Sequence, residues 1–199
     1  MSELKGIKTI LVGESTVGKT NLIRVATGDK FLIESTSTMA SSFLEHKIDY
    51  NDKKYTLCLW DTVGQERFRA LNKLYIKEAK IALVVFAINN KESFNEVDFW
   101  LNYIKEILGK EKYVMALIAN KSDLYEDQEV SDEEIVEKAN QFGIRYAITS
   151  AKTDADGFKQ FLRELFIDYI NLIGPEAEGR KTFKLDKPTK KEEEKKCPC

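Results

Sequence analysis

The sequence predicts a doubly wound α/β domain: a six-stranded, mostly parallel sheet with one antiparallel strand and helices on both faces. Two observations predict it. Short, uniformly apolar runs alternate with amphipathic helical stretches, the pattern of strand–helix–strand units. One neighbouring pair of runs is instead joined by a tight polar turn, the signal of a hairpin. No internal repeat interrupts this order.

Taken in order, Ile7–Val12 is a buried strand, followed by a glycine-containing loop and a helix that runs to about Thr27. Phe43–Tyr50 and Lys54–Trp60 are strands joined by the turn Asn51-Asp52-Lys53, and a short helix is expected near Arg69–Lys77. Ile81–Ile88 is too short and too apolar for anything but a buried strand. Ser93–Leu108 reads as one helix, with Phe94, Val97, Leu101, Ile104 and Leu108 on one face. After the strand Tyr113–Ala119 comes a polar loop, then a helix opened by the capping-box pattern of Ser131 and Glu134. A strand at Ile144–Thr149 and an amphipathic helix over about Asp154–Ile173 complete the domain.

Three segments carry chemistry. Gly13-Glu-Ser-Thr-Val-Gly-Lys-Thr20 has the G-x-x-x-x-G-K-[ST] spacing and lies between a strand and a helix. There, backbone N–H groups of Gly13, Ser15, Thr16, Val17 and Gly18 can wrap α- and β-phosphates. Lys19 can reach the β/γ-phosphates, and the Thr20 hydroxyl can ligate Mg²⁺. Asn120-Lys-Ser-Asp123 follows an apolar run, so it stands at the C-terminal end of a strand, the edge where such sheets bind ligands. The Asp123 carboxylate can accept from two adjacent donors, which guanine offers at N1 and N2 and adenine does not. Asn120 can bond the base edge or brace the loop, and the Lys121 stem can cover the ring. Ser150-Ala-Lys152 follows another strand and can present a backbone N–H to guanine O6. Between them, Asp61 is placed to hold Mg²⁺ through water, the Gly64 N–H to meet the γ-phosphate, and Gln65 to orient an attacking water. Thr38, in the polar stretch Glu34–Ser42, can close on Mg²⁺ and the γ-phosphate.

Composition bounds the rest. With 199 residues, 43% hydrophobic and 32% charged, the chain reads as one soluble domain plus a tail. No run approaches the ~18 apolar residues of a membrane span, and the polar start Met1–Lys5 is no secretory signal, so a cytosolic location is expected. Net charge is −2, with a tail of slightly positive charge and a mildly acidic body. That body argues against a nucleic-acid polymer as ligand, since phosphate backbones need a basic face. Cys58 alternates within a strand and is expected in the core, and His46, the only histidine, is expected to be structural.

On these motifs the chain resembles a small GTPase of the Ras superfamily, and within it the Rab branch. The resemblance rests on Gly13–Thr20, Thr38, Asp61–Gln65, Asn120–Asp123 and Ser150–Lys152, in the family's order, and covers roughly residues 5 to 173. Rab character comes from Trp60-Asp-Thr-Val-Gly-Gln-Glu-Arg-Phe68 and the Cys197-Pro-Cys199 end. It comes also from Phe43, Trp60 and Tyr75, which match the family's effector-facing aromatics. Phe31 matches its aromatic beside the guanine. The resemblance implies the P-loop GTPase fold, GTP/GDP and Mg²⁺ as ligands, and Gln65 and Lys19 as catalytic residues. The implied partners are a nucleotide exchange factor, a GTPase-activating protein, a GDP-dissociation inhibitor, a Rab escort protein and GTP-state effectors. It implies a switch in vesicle trafficking on the cytosolic face of endomembranes, cycling to the cytosol.

Several positions depart from the family pattern. Thr16 stands for a glycine, Val63 for an alanine, and Ala87 for an aspartate. Met39–Phe43 replaces the usual first-switch signature, and Tyr75–Glu78 the usual Tyr-Tyr-Arg-Gly. Thr16 and the first switch leave open a second reading, a weakly hydrolysing, stably loaded scaffold; Asn120–Asp123 disfavours a third, an ATP-using enzyme. Beyond residues 1–173, Gly174-Pro175 ends the last helix. Residues 174–199 are Lys/Glu-rich without periodicity and are expected to be disordered. Cys197 and Cys199 are too close for an unstrained disulfide, and their similarity to Rab Cys-x-Cys ends implies geranylgeranylation of both.

Overall fold

Apolar residues at alternate positions of each central strand face opposite helical layers, so a single sheet carries two cores. The computed structural model describes residues 6–33, 42–61 and 69–174. Its strands are β1 (Gly6–Val12), β2 (Ser42–Tyr50), β3 (Lys53–Asp61), β4 (Ile81–Ala87), β5 (Val114–Asn120) and β6 (Arg145–Ile148). Its helices are α1 (Lys19–Ala26), α2 (Arg69–Ile76), α3 (Lys91–Asn95), α4 (Val97–Leu108), α5 (Asp132–Phe142) and α6 (Ala155–Ile173).

The strand order is β2-β3-β1-β4-β5-β6, with β2 antiparallel to β3 and every other pairing parallel. The expected six-stranded mixed sheet is therefore present. Asn51 and Asp52 alone join β2 to β3, at φ 49° and 58°, the left-handed pair that a two-residue hairpin requires. On one face Leu11, Leu57, Leu59 and Leu83 pack with Leu22 of α1 and Phe158, Leu165 and Phe166 of α6. On the other, Ile10, Val84, Phe86 and Leu117 pack with Trp100, Leu101 and Ile104 of α4 and Ile135 of α5. Cys58 is buried, and His46 Nδ1 lies 2.7 Å from the Ala26 carbonyl at the end of α1, so both are structural.

Two elements differ from the sequence reading. The helix expected over Ser93–Leu108 is two helices that meet at Glu96, where ψ opens to −6°. The first starts earlier, because the Asn90 side chain caps it by accepting from the Ser93 N–H at 2.8 Å. The polar loop after β5 contains a 3₁₀ segment, Ser122–Asp127. The Ser131–Glu134 capping box of α5 is present with both reciprocal bonds.

The sheet order reverses on either side of β1, whose C-terminal end feeds the loop 13–18 and then α1. In an open α/β sheet that switch point is a crevice for ligands. Asp61 ends β3 and Asn120 ends β5, on the same edge of the sheet.

Candidate nucleotide site

The loop between β1 and α1 is built around two glycines. Gly13 has φ 142°, and a Cβ there would lie 2.0 Å from the Val85 carbonyl oxygen of β4. Gly18 has φ 96°, and its Cβ would meet the Asn120 amide nitrogen at 2.3 Å. Any side chain at either position would push the loop off its neighbouring strands. Thr16, between them, is exposed and also left-handed, at φ 64°.

Lys19 lies under this loop. Its ammonium donates to the Gly13 carbonyl at 2.9 Å and to the Glu14 carbonyl at 2.7 Å. The side chain is 6% exposed, and burial pulls its pKa down to about 8, against the opposing pull of Asp61 and Glu14. A cation so buried, whose two hydrogen bonds go to neutral carbonyls and whose carboxylate neighbours Asp61 and Glu14 do not offset its desolvation, is stabilised by an anion brought to the loop. The start of α1 fits the same ligand. Helices α3, α5 and α6 each have a capping side chain, from Asn90, Ser131 and Asp154. Helix α1 has neither a side-chain cap nor an acidic residue in its first turn, so no carboxylate there opposes an anion at the positive end of the helix. The loop thus fits a polyphosphate by its glycine cradle, its cation and its uncapped helix.

Thr20 and Asp61 meet beside it. The Thr20 hydroxyl donates to Asp61 Oδ2 at 2.7 Å, and Asp61 is 4% exposed. A hydroxyl and a carboxylate in contact are hard oxygen donors of the type Mg²⁺ takes alongside phosphate. The donor set therefore fits that ion.

The base-side loops are tied together by Asn120. Its amide donates to the Val17 carbonyl at 2.8 Å and its carbonyl accepts from the Ala151 N–H at 3.2 Å, so one side chain joins three loops. Asp123 Oδ1 accepts from the Ser150 hydroxyl at 2.6 Å, and the Lys152 ammonium lies 3.7 Å from Oδ2. The Ser150 oxygen in turn accepts from the N–H groups of Lys152 and Thr153. Lys121 has φ 64°, and burial lowers its pKa while Asp123 opposes that shift. Phe31 packs, half-buried, at the edge of the core beside α1.

Phe43, Trp60 and Tyr75 form a continuous row, with ring centroids 5.2 Å apart between Phe43 and Trp60 and 6.1 Å between Trp60 and Tyr75. Trp60 packs against the α4-side core, Phe43 is exposed at the surface, and Tyr75 is half-buried. The Lys8 ammonium stacks over the Trp60 ring at 5.2 Å. Thr38, Gly64, Gln65, Cys197 and Cys199 lie outside the described residues.

Two supports were not read from the sequence. Asn21 of α1 clasps Leu32 with both ends of its amide, fixing the segment that carries Phe31. Trp100 of α4 donates from its indole to Glu14 Oε1 at 3.3 Å, tying the phosphate loop to the core. A tryptophan on an apolar helix face is the one available signal, since a buried indole N–H needs an acceptor.

Residues 8–170 match the Ras family. The chain is 34% identical over 166 residues to the Ras-related protein Rab-21 of Geodia cydonium, covering 83% of this chain and 70% of that protein. It is 35% identical over 161 residues to the Rab-21 proteins of Bos taurus and Homo sapiens, covering 81% of this chain in each case and 70% and 69% of those proteins.

Proposed function

The chain belongs to the Ras family, in its Rab branch, and from that premise we propose how its own residues bind and hydrolyse GTP. It is a guanine-nucleotide-binding, GTP-hydrolysing switch of the Rab type in vesicle trafficking. As such it works with exchange factors, activating proteins and effectors. The alternative of a weakly hydrolysing, stably loaded scaffold is not better supported.

The observation that carries the residue-level reading is the buried Lys19 ammonium beneath a glycine-cornered loop and an uncapped helix. In this reading the loop N–H groups from Gly13 to Thr20, with Lys19, hold the phosphates and offset the charge that develops on them. Asp123 reads guanine N1 and N2, Lys121 and Phe31 cover its faces, and the Ala151 N–H meets O6, with Ser150 and Lys152 supporting Asp123. Thr20, Thr38 and Asp61 would hold Mg²⁺, which when bound adds positive charge beside the phosphate oxygens. Gln65 orients the attacking water, while Thr38 and Gly64 hold the switch segments only while the γ-phosphate is present.

The row Phe43–Trp60–Tyr75 is the surface proposed to meet effectors. We divide the chain into a nucleotide-binding domain, residues 1–173, and a tail, residues 174–199. Geranylgeranylation of Cys197 and Cys199 would anchor the tail to the cytosolic face of endomembranes, because two lipids hold stably where one holds reversibly. An escort protein would present the chain for that modification, and a GDP-dissociation inhibitor would shelter both lipids in the cytosol.

The test is the identity of the nucleotide that co-purifies, followed by single-turnover GTP hydrolysis. Residues 31–43 contain no arginine, so no arginine finger is supplied from that segment, and intrinsic turnover is expected near ~10⁻⁴ s⁻¹. Gln65→Leu should slow it further. A fast intrinsic rate or an unaffected Gln65→Leu variant would place the catalytic group elsewhere.

A further inference from the structure

Strand β6 is the last of the sheet, and among the described residues only β5 pairs with it. The Thr149 N–H bonds the Ala119 carbonyl on the β5 side. Peptide groups alternate in direction along a parallel strand, so the N–H and C=O groups of Tyr146 and Ile148 point away from β5. Their side chains stand beside Leu117 and Ala119, on the α5 face of the sheet, and are 39% and 37% exposed. An open edge of this kind is a template for a further strand.

Helix α5 supplies charge along that edge. Lys138 bonds Asp98 of α4 at 2.6 Å and Glu134 pairs with Lys91 of α3, so one flank of α5 faces those helices. Asp132 and the half-buried Val136 lie on the opposite flank, toward β6, with Glu133 and Glu137 exposed above them. None of these three carboxylates pairs with a basic residue among the described residues.

A segment of this chain matches the edge in charge and in spacing. Residues 180–191 carry six Lys/Arg against one Asp, and Phe183 and Leu185 are the only large apolar side chains after Gly174. Two positions apart, they fall on one side of an extended chain, with the spacing of Tyr146 and Ile148, and Lys181 and Lys187 flank them on that side. The segment also starts within reach. Arg145, at the start of β6, bonds Asp168 of α6, which lies about 9 Å along the helix before Gly174. Residues 174–181 then span up to ~23 Å. We propose that residues 181–187 add to β6 as a seventh, parallel strand, with Phe183 and Leu185 beside Tyr146 and Ile148 and the flanking lysines near the carboxylates of α5. A short linker gives an effective concentration in the millimolar range, so a clasp with a Kd of ~0.1 mM is closed about nine-tenths of the time. It occupies the basic stretch and leaves residues 188–196 as the leash to the lipids proposed at Cys197 and Cys199, so whatever grips the tail must first open it.

The experiment measures amide hydrogen exchange at Tyr146 and Ile148, and trypsin cleavage after Lys184, in the full chain. The comparison is with Phe183→Ser combined with Leu185→Ser, changes that lie outside the domain. Both rates are expected to be ~10-fold slower in the unaltered chain. Asp132→Lys combined with Glu137→Lys should lose most of that difference, and about 0.5 M NaCl part of it. Equal rates in the unaltered chain and the tail variant would overturn the clasp. Slower cleavage without slower exchange at Tyr146 and Ile148 would overturn the assignment to β6. Protection that rises with protein concentration between about 1 and 100 μM would overturn an intramolecular clasp, because a second copy would then supply the strand.

Discussion

The base-facing and phosphate-facing halves of the site are built on opposite principles. Around Asn120, Asp123 and Ser150 the polar groups already satisfy one another, through bonds of 2.6–3.2 Å among residues 120–123, 150–153 and Val17. Around Gly13–Thr20 the protein instead keeps a buried ammonium with depressed pKa, an uncapped helix start and a strained turn. Under the proposed function the first half is assembled before the ligand arrives and would supply selectivity. The second keeps a buried charge that an anion would offset, and would supply affinity.

The largest effect should separate the halves by Lys19→Met. Nucleotide affinity should fall more than ~100-fold, since the phosphates lose a desolvated charge partner worth ~3 kcal/mol or more. The nucleotide-free protein should keep or raise its melting temperature, because a buried ammonium has been removed. Calorimetric titration and thermal melting measure the two. A large drop in the melting temperature of the empty protein would show Lys19 to be a structural fastening, and the contrast between the halves would break.

Asp123→Asn probes the other half. GTP should bind ~10- to 100-fold more weakly, and preference should shift toward xanthine nucleotides, because an amide N–H₂ would face the 2-oxo group. Competition between GTP and XTP decides it, and a retained preference for GTP would remove the base-reading role of Asp123. Phosphate-side behaviour, including the pH response below, should be unchanged in this variant when it is measured with XTP.

The smallest expected effect sharpens the comparison through pH. Lys19 has a pKa near 8 in the empty protein, and bound phosphates would raise it, so binding takes up a proton above that value. Affinity should be full below pH 8 and fall by at most ~10-fold per unit as pH rises above it. Stability of the empty protein should move the other way. The unfolded chain keeps Lys19 protonated up to its ordinary value of 10.5, so stability rises between about pH 8 and 10.5. Burial lowers Lys121 as well, so Lys121→Arg serves as the control. If that variant loses the pH response, the titrating cation belongs to the base side and the assignment to Lys19 fails.

The sheet was legible because its signals are local. Uniform apolar runs at Ile81–Ile88 and Tyr113–Ala119 can only be buried strands, and the hairpin follows from the polar turn Asn51-Asp52-Lys53, of which Lys53 already belongs to β3. The phosphate loop and the base-reading segments were legible for the same reason, since the spacing of each motif is itself the geometric requirement. The break at Glu96 was not, because helical periodicity continues through it and only the capped start at Asn90 shifts the register. Family resemblance named Phe43, Trp60 and Tyr75, but not that Trp60 is anchored in the core while Phe43 is exposed.

The sequence by itself determined the fold class and the family and singled out the residues proposed to face the nucleotide, because each depends on residue type at short spacing. Only the tertiary structure decided how those residues are held. Trp100 is 86 positions from Glu14, and Asn120 is 103 from Val17 and 31 from Ala151. Contacts at such separations are set by the packing of α4 and β5 against β1 and β4, which no local pattern encodes. The left-handed turn at Thr16 is the product of those distant anchors, since a lone threonine would avoid that conformation.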